Sequence, residues 1–268
     1  MKSDVRPLKK NEHLTHGWQK FSNYSFAVGQ NCAPVLMAEV HELVPRYALA
    51  FIKQEDGSWR LIAVQGLHSG DNLYLDAKAR PLSSYMASCY RAYPFALVES
   101  ASEGETRAVL CFNHASGLYR ENPDPAQNEE RFFTDEGQLQ PAMQDLLIFL
   151  RRCHENRQHT QAAVDALASA KLLEPWPWPF ENPDSERPMA QGLHRIDQKA
   201  LAACDGATLH QLQQTQSLYL AYAQILSMPR LAMLPELYKR RQQIQKQQPD
   251  VTEEDLKKLF NNPNIFQF

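Results

Sequence analysis

The chain has 268 residues, of which 43% are hydrophobic and 22% are charged, and its formal net charge at pH 7 is −3. This composition is that of a globular protein and excludes a chain that is disordered throughout. The slightly negative charge provides no basic surface for neutralising phosphates, so we expect no nucleic-acid partner.

Several features of the sequence predict a protein of the cytoplasm. The N-terminal residues carry charges with no apolar run behind them, unlike a secretory signal. No window approaches the roughly 18 apolar residues of a spanning helix, so we expect no membrane insertion. The cysteines are odd in number and form no C-x-x-C pair, which favours reduced thiols over disulfides or a zinc site. They are Cys32, Cys89, Cys111, Cys153 and Cys204.

Residues 1–125 are predicted to form a β-rich half. Asp56 and Gly57 indicate a hairpin turn, because Asp-Gly tolerates the positive φ that tight turns require. Residues 82–92 have a helical pattern, which ends before Pro94. Strands are predicted from apolar runs and alternation at residues 33–40, 47–52, 59–64, 73–75, 95–98 and 108–112.

Residues 126–241 are predicted to be helical. Thr134 or Asp135 is expected to cap a long helix that stops at Pro175. Asp197 is expected to cap a later helix, after a short strand at residues 193–196. Two apolar stripes with spacings of three and four mark these helices: Met143, Leu146, Leu147, Leu150, Cys153, Val164, Leu167 and Ala168 in the first, and Leu209, Leu212, Tyr219, Ala223 and Leu226 in the second.

Residues 242–268 are interpreted as a polar linker followed by a short docking helix that begins at Thr252. This helix is expected to dock through Leu256, Leu259 and Phe260. Taken together, the elements predict an α+β fold, in which a mainly antiparallel sheet from the N-terminal half packs against the long helix and the C-terminal helices as one compact unit.

Three polar residues, His154, Arg157 and Gln161, interrupt the apolar face of the long helix. One interpretation is that the helix emerges from the core for two turns, or that the three residues pair internally, since buried polar groups are usually paired within the protein. The other interpretation is a polar ligand pocket that faces the β half. Arg157 is the best single candidate for binding a carboxylate or phosphate, because its guanidinium offers two parallel donors.

Trp176 and Trp178 alternate with prolines and predict a stiff aromatic ridge. Such a ridge suits carbohydrate stacking or peptide binding, or it covers the core as a lid, since large aromatic side chains bury most of their area. Glu39 and His41 would share one face of a strand, but no third metal ligand lies near them, so a solvated strand end is the simpler interpretation. We therefore expect no metal and no cofactor.

Three segments together resemble the SapC family of bacterial proteins, in the same order over roughly residues 18–238. The most specific strings are NLYLD, YRAYPF, LLEPW and HRID-x-KAL. The resemblance implies an association with surface-layer proteins and serum resistance, and gene neighbours that encode outer-membrane receptors, halogenase-like proteins and cupin-type oxygenases. It implies no catalytic residues.

The leading hypothesis is a non-catalytic cytoplasmic accessory protein that binds a small molecule, peptide or partner protein, since the sequence has no recognisable catalytic motif. An oligomer is compatible with this reading. One alternative is an enzyme with a site at the seam between the β half and the helices, where Arg157 and His154 would act with residues such as His41 or Asp76. The other alternative is a structural component of a surface layer.

Overall fold

The computed structural model describes residues 4–102 and 105–247. Within them the strands are β1 Val5–Pro7, β2 Gly17–Gln19, β3 Cys32–Pro34, β4 Ala48–Lys53, β5 Trp59–Val64, β6 Phe95–Ser102, β7 Glu105–Asn113, β8 Tyr119–Arg120, β9 Glu129–Arg131, β10 Leu173–Pro175 and β11 Leu193–Ile196. The α-helices are α1 Lys10–His13, α2 Val40–Leu43, α3 Ser88–Arg91, α4 Pro141–Ser169, α5 Gln198–Ala202, α6 Gly206–Gln214, α7 Ser217–Ser227 and α8 Met233–Gln247.

A five-stranded antiparallel sheet of order β10-β11-β4-β5-β3 forms the centre of the molecule. Its β4–β5 hairpin turns at Gly57, whose φ is +84°. The Asp56 carboxylate accepts a hydrogen bond from the Ser58 amide at 2.9 Å, which closes the turn as the sequence predicts. Since β10 and β11 follow the long helix in the chain, strands from both halves share this sheet.

Two smaller antiparallel sheets, of order β1-β7-β6 and β8-β2-β9, lie beside the central sheet. They enclose an aromatic core, separate from the main core, that contains Phe95, Phe112, Phe132, Phe133, Met143 and Leu150. The main core lies between the central sheet and the helices and includes Leu61, Ile62, Val164, Leu167 and Leu220. These are the two clusters to which α4 contributes; a third apolar cluster contains Ala27, Ala33, Leu75, Met86, Ala87 and Tyr90.

Helix α4, with 29 residues, contributes to both cores. Met143 and Leu150 on its first half belong to the aromatic core. Ala163, Val164 and Leu167 on its second half belong to the main core, where α4 packs on β5 and α7. An antiparallel sheet packed against the long helix and the C-terminal helices is the α+β fold that the sequence predicts, and that prediction is confirmed.

Some predicted elements of the N-terminal half are wrong. Residues 33–40 leave β3 and enter a 3₁₀ turn at Met37–Glu39, because the Glu39 carboxylate accepts the Leu36 amide and closes that turn. Residues 73–75 form no strand, since Asn72 accepts the Tyr74 amide in a turn and all three side chains are buried. In residues 82–92 only α3 is helical, because the Ser83 hydroxyl accepts the Tyr85 amide and competes with helix hydrogen bonds.

In the C-terminal half, α4 begins at Pro141 rather than near Thr134, whose backbone is used in a turn that ends at Gln138. The predicted stripe from Leu209 to Leu226 is split into α6 and α7 at Gln216, which adopts a φ of +58°. Asp197 does cap α5, accepting from the Lys199 and Ala200 amides. The predicted docking helix at residues 252–260 lies outside the described residues.

No α-helix within residues 4–102 and 105–247 combines the length and the apolar character needed to span a bilayer.

Candidate ligand-binding cavity beneath the long helix

A cavity of about 210 Å³ lies between α4 and the β half, and we call it the seam cavity. It occurs at the level where α4 passes from the aromatic core to the main core, after Leu150 and before Thr160. Neither core fills this stretch, so the polar residues of α4 border open space here. The seam cavity is lined by Pro34, Leu36, Ser88, Cys89, Ala92, Phe95, Ala96, Leu97, Leu150, Cys153, His154 and Arg157.

His154 connects the two sides of the seam cavity. Its Nε2 lies 3.1 Å from Oε1 of Glu99 on β6, and the His154 side chain is about three-quarters buried. This contact between α4 and β6 fixes the imidazole at the edge of the cavity. Because Glu99 is half-exposed, the pair contributes orientation more than stability.

Arg157 borders the same cavity one helical turn further along α4. Its side chain is exposed and makes no hydrogen bond or ion pair with the residues that the structure describes. All five guanidinium donors therefore remain available to a ligand. His154 and Arg157 thus border one cavity that faces residues of the β half.

The wall opposite α4 is held by Glu39, which is only 4% exposed. Its carboxylate accepts hydrogen bonds from the Ser88 amide at 2.7 Å, the Ser88 hydroxyl at 2.9 Å, the Tyr85 hydroxyl at 3.0 Å and the Leu36 amide at 3.0 Å. Four donors satisfy a buried carboxylate, so this wall is rigid. Both earlier interpretations of Glu39, as a metal ligand on a strand or as part of a solvated strand end, are wrong.

Arg91 continues this wall toward α4. Its guanidinium lies 4.0 Å from the Glu39 carboxylate, donates to the Tyr85 hydroxyl at 2.9 Å, and stands over the Phe149 ring at 5.0 Å. The cation–π contact joins the wall to the helix above it. Since Arg91 is engaged in this way, it does not compete with Arg157 for a ligand.

The two thiols that line the cavity are held in their neutral form. Burial, together with the nearby Glu39 carboxylate, raises the pKa of Cys89 to about 12. Burial and the same carboxylate also raise the pKa of Cys153 above its usual range. A neutral thiol is a poor nucleophile, so these side chains act as small apolar groups in the lining.

Gln161 does not reach the seam cavity. Its amide donates to the Trp59 carbonyl at 2.9 Å and to the Asp165 carboxylate at 2.8 Å. Gln161 therefore ties α4 to β5, which is the internal pairing that was one of its interpretations. His154 is also paired, with Glu99, whereas Arg157 is exposed at the edge of the seam cavity.

The tryptophans lie elsewhere. Trp176 is 6% exposed and belongs to the main core, so it covers the core as a lid. Trp178 is half-buried, and its indole donates to the Ala190 carbonyl at 2.6 Å. Both border a separate, shallow depression of about 380 Å³. The stiff ridge is therefore packed against the protein rather than standing free.

His41 and Asp76 also lie apart from the seam cavity, since His41 borders a depression with His159 and Tyr219 while Asp76 borders a groove along α8. The four side chains proposed for an enzyme site are thus divided among three places. Within residues 4–102 and 105–247, no group of three or more His, Cys, Asp or Glu side chains is placed to hold a metal ion.

The sequence analysis missed the cavity lining that comes from irregular segments. Ser88, Cys89 and Ala92 reach the cavity from a one-turn helix and the residue after it, and Leu36 reaches it from the loop before Glu39. The available signal was Glu39 itself, a carboxylate inside an apolar run, which indicates a buried acid that requires donors.

These features define an α+β protein in which antiparallel sheets carry a long helix over a small, partly apolar cavity. Beside this cavity the Arg157 guanidinium has no partner among residues 4–102 and 105–247. The chain belongs to the SapC family, whose sequence model matches residues 8–234. The matched region contains every residue of the seam cavity. No curated protein and no solved structure matches this chain.

Proposed function

We propose that this SapC-family chain is a non-catalytic binding protein that takes a small anionic molecule into the seam cavity. The observation that carries the proposal is the Arg157 guanidinium, which has no partner in the part of the chain that the structure describes and lies at the edge of a cavity whose floor is apolar. A concave site with apolar walls and a few oriented polar groups is the usual form of a small-molecule site.

The chemistry of the lining favours a carboxylate with a small apolar body. Arg157 supplies two parallel donors for the carboxylate, and His154 supplies a fixed ring beside it. Phe95, Leu97 and Leu150 provide the apolar surface. A volume of about 210 Å³ suits a body of one ring or a short aliphatic chain and excludes a large cofactor.

Binding is favoured over catalysis by the state of the reactive groups around the cavity. The thiols of Cys89 and Cys153 have raised pKa values. The Glu39 carboxylate is saturated by four donors and has no lone pair directed at the cavity for proton transfer. An enzyme at this position would depend on His154 alone for acid–base chemistry.

Benzoate and its neutral isostere benzamide test this proposal by calorimetric titration of the full chain. We expect benzoate to bind in the millimolar range or better and benzamide to bind about tenfold more weakly, since only the anion pairs with Arg157. Arg157→Gln should remove the preference for benzoate, whereas Arg151→Gln, on an exposed position of α4, should retain it. Equal heats from both compounds, or an unchanged preference in Arg157→Gln, would refute the proposal.

A partner protein is a second candidate ligand, and α7 favours it. Tyr219, Tyr222 and Leu226 are 47%, 56% and 70% exposed and lie on one face at spacings of three and four. Tyrosine with an aliphatic neighbour is a composition typical of protein interfaces. The chain should co-purify with the halogenase-like or cupin-type proteins that the resemblance implies, and this co-purification should be lost in Tyr222→Glu. If the wild-type chain forms no such complex, the proposal of a partner protein at α7 is wrong.

A cytoplasmic location belongs to the same proposal. Its support is that all five cysteines carry free thiols, as in a reducing compartment. Cell fractionation with an antibody against the chain should recover it with cytoplasmic markers. Recovery in the surface layer, together with open-ended self-association in light scattering, would favour the structural alternative.

A further inference from the structure

A second concave surface, which we call the α8 groove, lies between α8 and the segment that follows β5, and its volume is about 400 Å³. It is larger than the seam cavity and shares no lining residue with it. The α8 residues that border it run from Leu237 to Gln245, a rise of about 12 Å at 1.5 Å per residue. A ligand that follows this groove is therefore long rather than compact.

The walls of the α8 groove are mainly apolar. Leu73 and Leu75 are buried, while Val28, Leu82 and Ile244 are 45%, 50% and 43% exposed, and all five line the groove. Single exposed apolar residues are ordinary, but a cluster around one concave surface indicates a binding site. An apolar ligand body would remove these side chains from water together.

Hydrogen bonds tie the two sides of the α8 groove together. Arg241 on α8 donates to the carbonyls of Asn72 and Leu75 and pairs with the Asp71 carboxylate on the opposite side. The Asn72 side-chain amide in turn donates to the Ala27 carbonyl at 3.1 Å, which fixes the neighbouring turn. Because the groove is shaped before a ligand enters, binding costs little conformational freedom of the protein.

The charged side chains that line the α8 groove leave a positive charge to be matched. Asp76 is paired with Arg80 at 2.8 Å, and Arg241 is occupied by its contacts with the opposite side. Arg240 is exposed and forms no hydrogen bond or ion pair with any residue in the described part of the chain. An anionic group on the ligand would complement this guanidinium.

We propose that the α8 groove binds a single-chain carboxylate amphiphile, a fatty acid of medium length. Its apolar chain lies along Leu73, Leu75 and Ile244, and its carboxylate pairs with the Arg240 guanidinium. With bonds of about 1.5 Å at tetrahedral angles, an extended chain of about ten carbons measures about 11 Å. This length matches the span of the groove along α8.

Decanoate and decyltrimethylammonium, which have similar alkyl chains and heads of opposite charge, test this inference by calorimetric titration of the full chain below their micelle concentrations. We expect decanoate to bind about fivefold more tightly, although the net charge of −3 would favour the cation in non-specific association. Octanoate should bind about four- to fifteenfold more weakly than decanoate, because it buries two methylene groups fewer.

Two variants of exposed residues separate the charge from the apolar contact. Arg240→Gln should remove the preference for decanoate, whereas Lys239→Gln, a neighbouring position that does not line the groove, should retain it. Ile244→Ser should weaken the binding of both amphiphiles, since Ile244 contacts the chain and not the head group. Equal affinities of the wild type for the two amphiphiles, or an unchanged preference in Arg240→Gln, would overturn the inference.

Nuclear magnetic resonance of the methyl-labelled chain distinguishes this site from the seam cavity. Decanoate should shift the methyl signals of Leu73 and Leu237, and these shifts should persist in Arg157→Gln. Benzoate is too short to follow the α8 groove and should leave Leu237 unshifted. Decanoate shifts confined to Leu97 in the seam cavity would overturn the inference. Leu237 signals that change on dilution of the chain alone would also overturn it, because the occupant would then be a second copy.

Discussion

Glu39 shows how one residue can decide local structure. A carboxylate within an apolar run would lose its hydration on burial, so the surrounding backbone provides donors to it. Two of these donors, the Leu36 and Ser88 amides, come from segments that would otherwise extend the predicted strand and helix. The chain near the seam cavity is irregular because its backbone amides and hydroxyl groups donate hydrogen bonds to the Glu39 carboxylate.

Glu39→Gln is expected to reduce the free energy of unfolding by about 2–4 kcal/mol, because the amide nitrogen would face donors instead of accepting from them. Urea unfolding monitored by circular dichroism measures this loss. The control is Glu42→Gln, whose carboxylate is half-exposed beside Arg46, and its effect should be below about 0.5 kcal/mol. Equal losses in the two variants would contradict this role for Glu39.

His114 gives the fold a dependence on pH. It lies against the Tyr119 ring at 4.3 Å and 6.3 Å from the His13 ring. Burial, with Arg6, His13 and His16 nearby, lowers the pKa of His114 below its ordinary value of 6.5, and Asp4 only partly opposes this. The folded chain therefore binds a proton at His114 less readily than the unfolded chain.

Stability should consequently be complete above pH 6.5 and decline as the pH falls below it, since the unfolded state then takes up the proton first. Thermal unfolding between pH 7.5 and 5 measures the decline. His114→Gln should make that decline shallower, while His210→Gln, on the exposed face of α6, should not. An identical pH profile for wild type and His114→Gln would show that His114 does not contribute.

At the scale of elements, α7 is joined to the central sheet by Gln224. Its amide donates to the Leu49 carbonyl on β4 at 3.1 Å, and its oxygen accepts the Ile196 amide on β11 at 3.0 Å. The Ser227 hydroxyl accepts the Leu49 amide at 2.9 Å. Helix α7 thus satisfies backbone groups where β4 and β11 separate.

Gln224→Leu should reduce the free energy of unfolding by about 2–3 kcal/mol, because it leaves two buried backbone groups without partners. Gln213→Leu, an exposed position on α6, is the matched control and should change stability by less than about 0.5 kcal/mol. Chemical denaturation of both variants provides the comparison. A loss in Gln224→Leu no larger than in Gln213→Leu would contradict the bridging role.

Elements with strong local signals could be predicted from the sequence. The β4–β5 hairpin follows from Asp56 and Gly57, and α5 follows from the Asp197 cap. The break at Gln216 could not be predicted, because no glycine or proline marks the position of its positive φ. Likewise the turn at residues 73–75 depends on contacts with distant residues such as Gln65.

At the scale of the whole molecule, the two predicted halves are interwoven. Strand β11 pairs with β4, so the central sheet is completed by strands that follow the long helix in the chain. Helix α4 in turn spans both cores. The central sheet and the β8-β2-β9 sheet each take strands from both predicted halves, whereas the β1-β7-β6 sheet lies within the N-terminal half.

The described residues should therefore unfold in a single cooperative transition. Tryptophan fluorescence reports the central sheet through Trp59 and the neighbouring aromatic core through Trp18, while far-ultraviolet circular dichroism reports the helices. The urea midpoints from the two signals should coincide. Separated midpoints would mean that the β half and the helical half fold independently.

The side of the candidate site that lies on α4 could be predicted in part, and the opposite wall could not. His154 and Arg157 interrupt a helical stripe, and a stripe can be read locally. The opposite wall comes from Leu36, Ser88 and Leu97, which are distant in sequence and meet only in the folded chain. The same limit applies to Gln161, whose partner Trp59 was not predictable from spacing.

The most direct test of the account is a titration of the methyl-labelled full chain with benzoate, followed by nuclear magnetic resonance. Our account predicts progressive shifts of the methyl signals of Leu97 and Leu150, which line the seam cavity, and no shift of the methyl signals of Leu237 on α8, which does not border that cavity. The Leu97 and Leu150 shifts should be lost in Arg157→Gln. Shifts at Leu237 alone, or no shift at Leu97 and Leu150 at saturating benzoate, would contradict an anion site beneath α4.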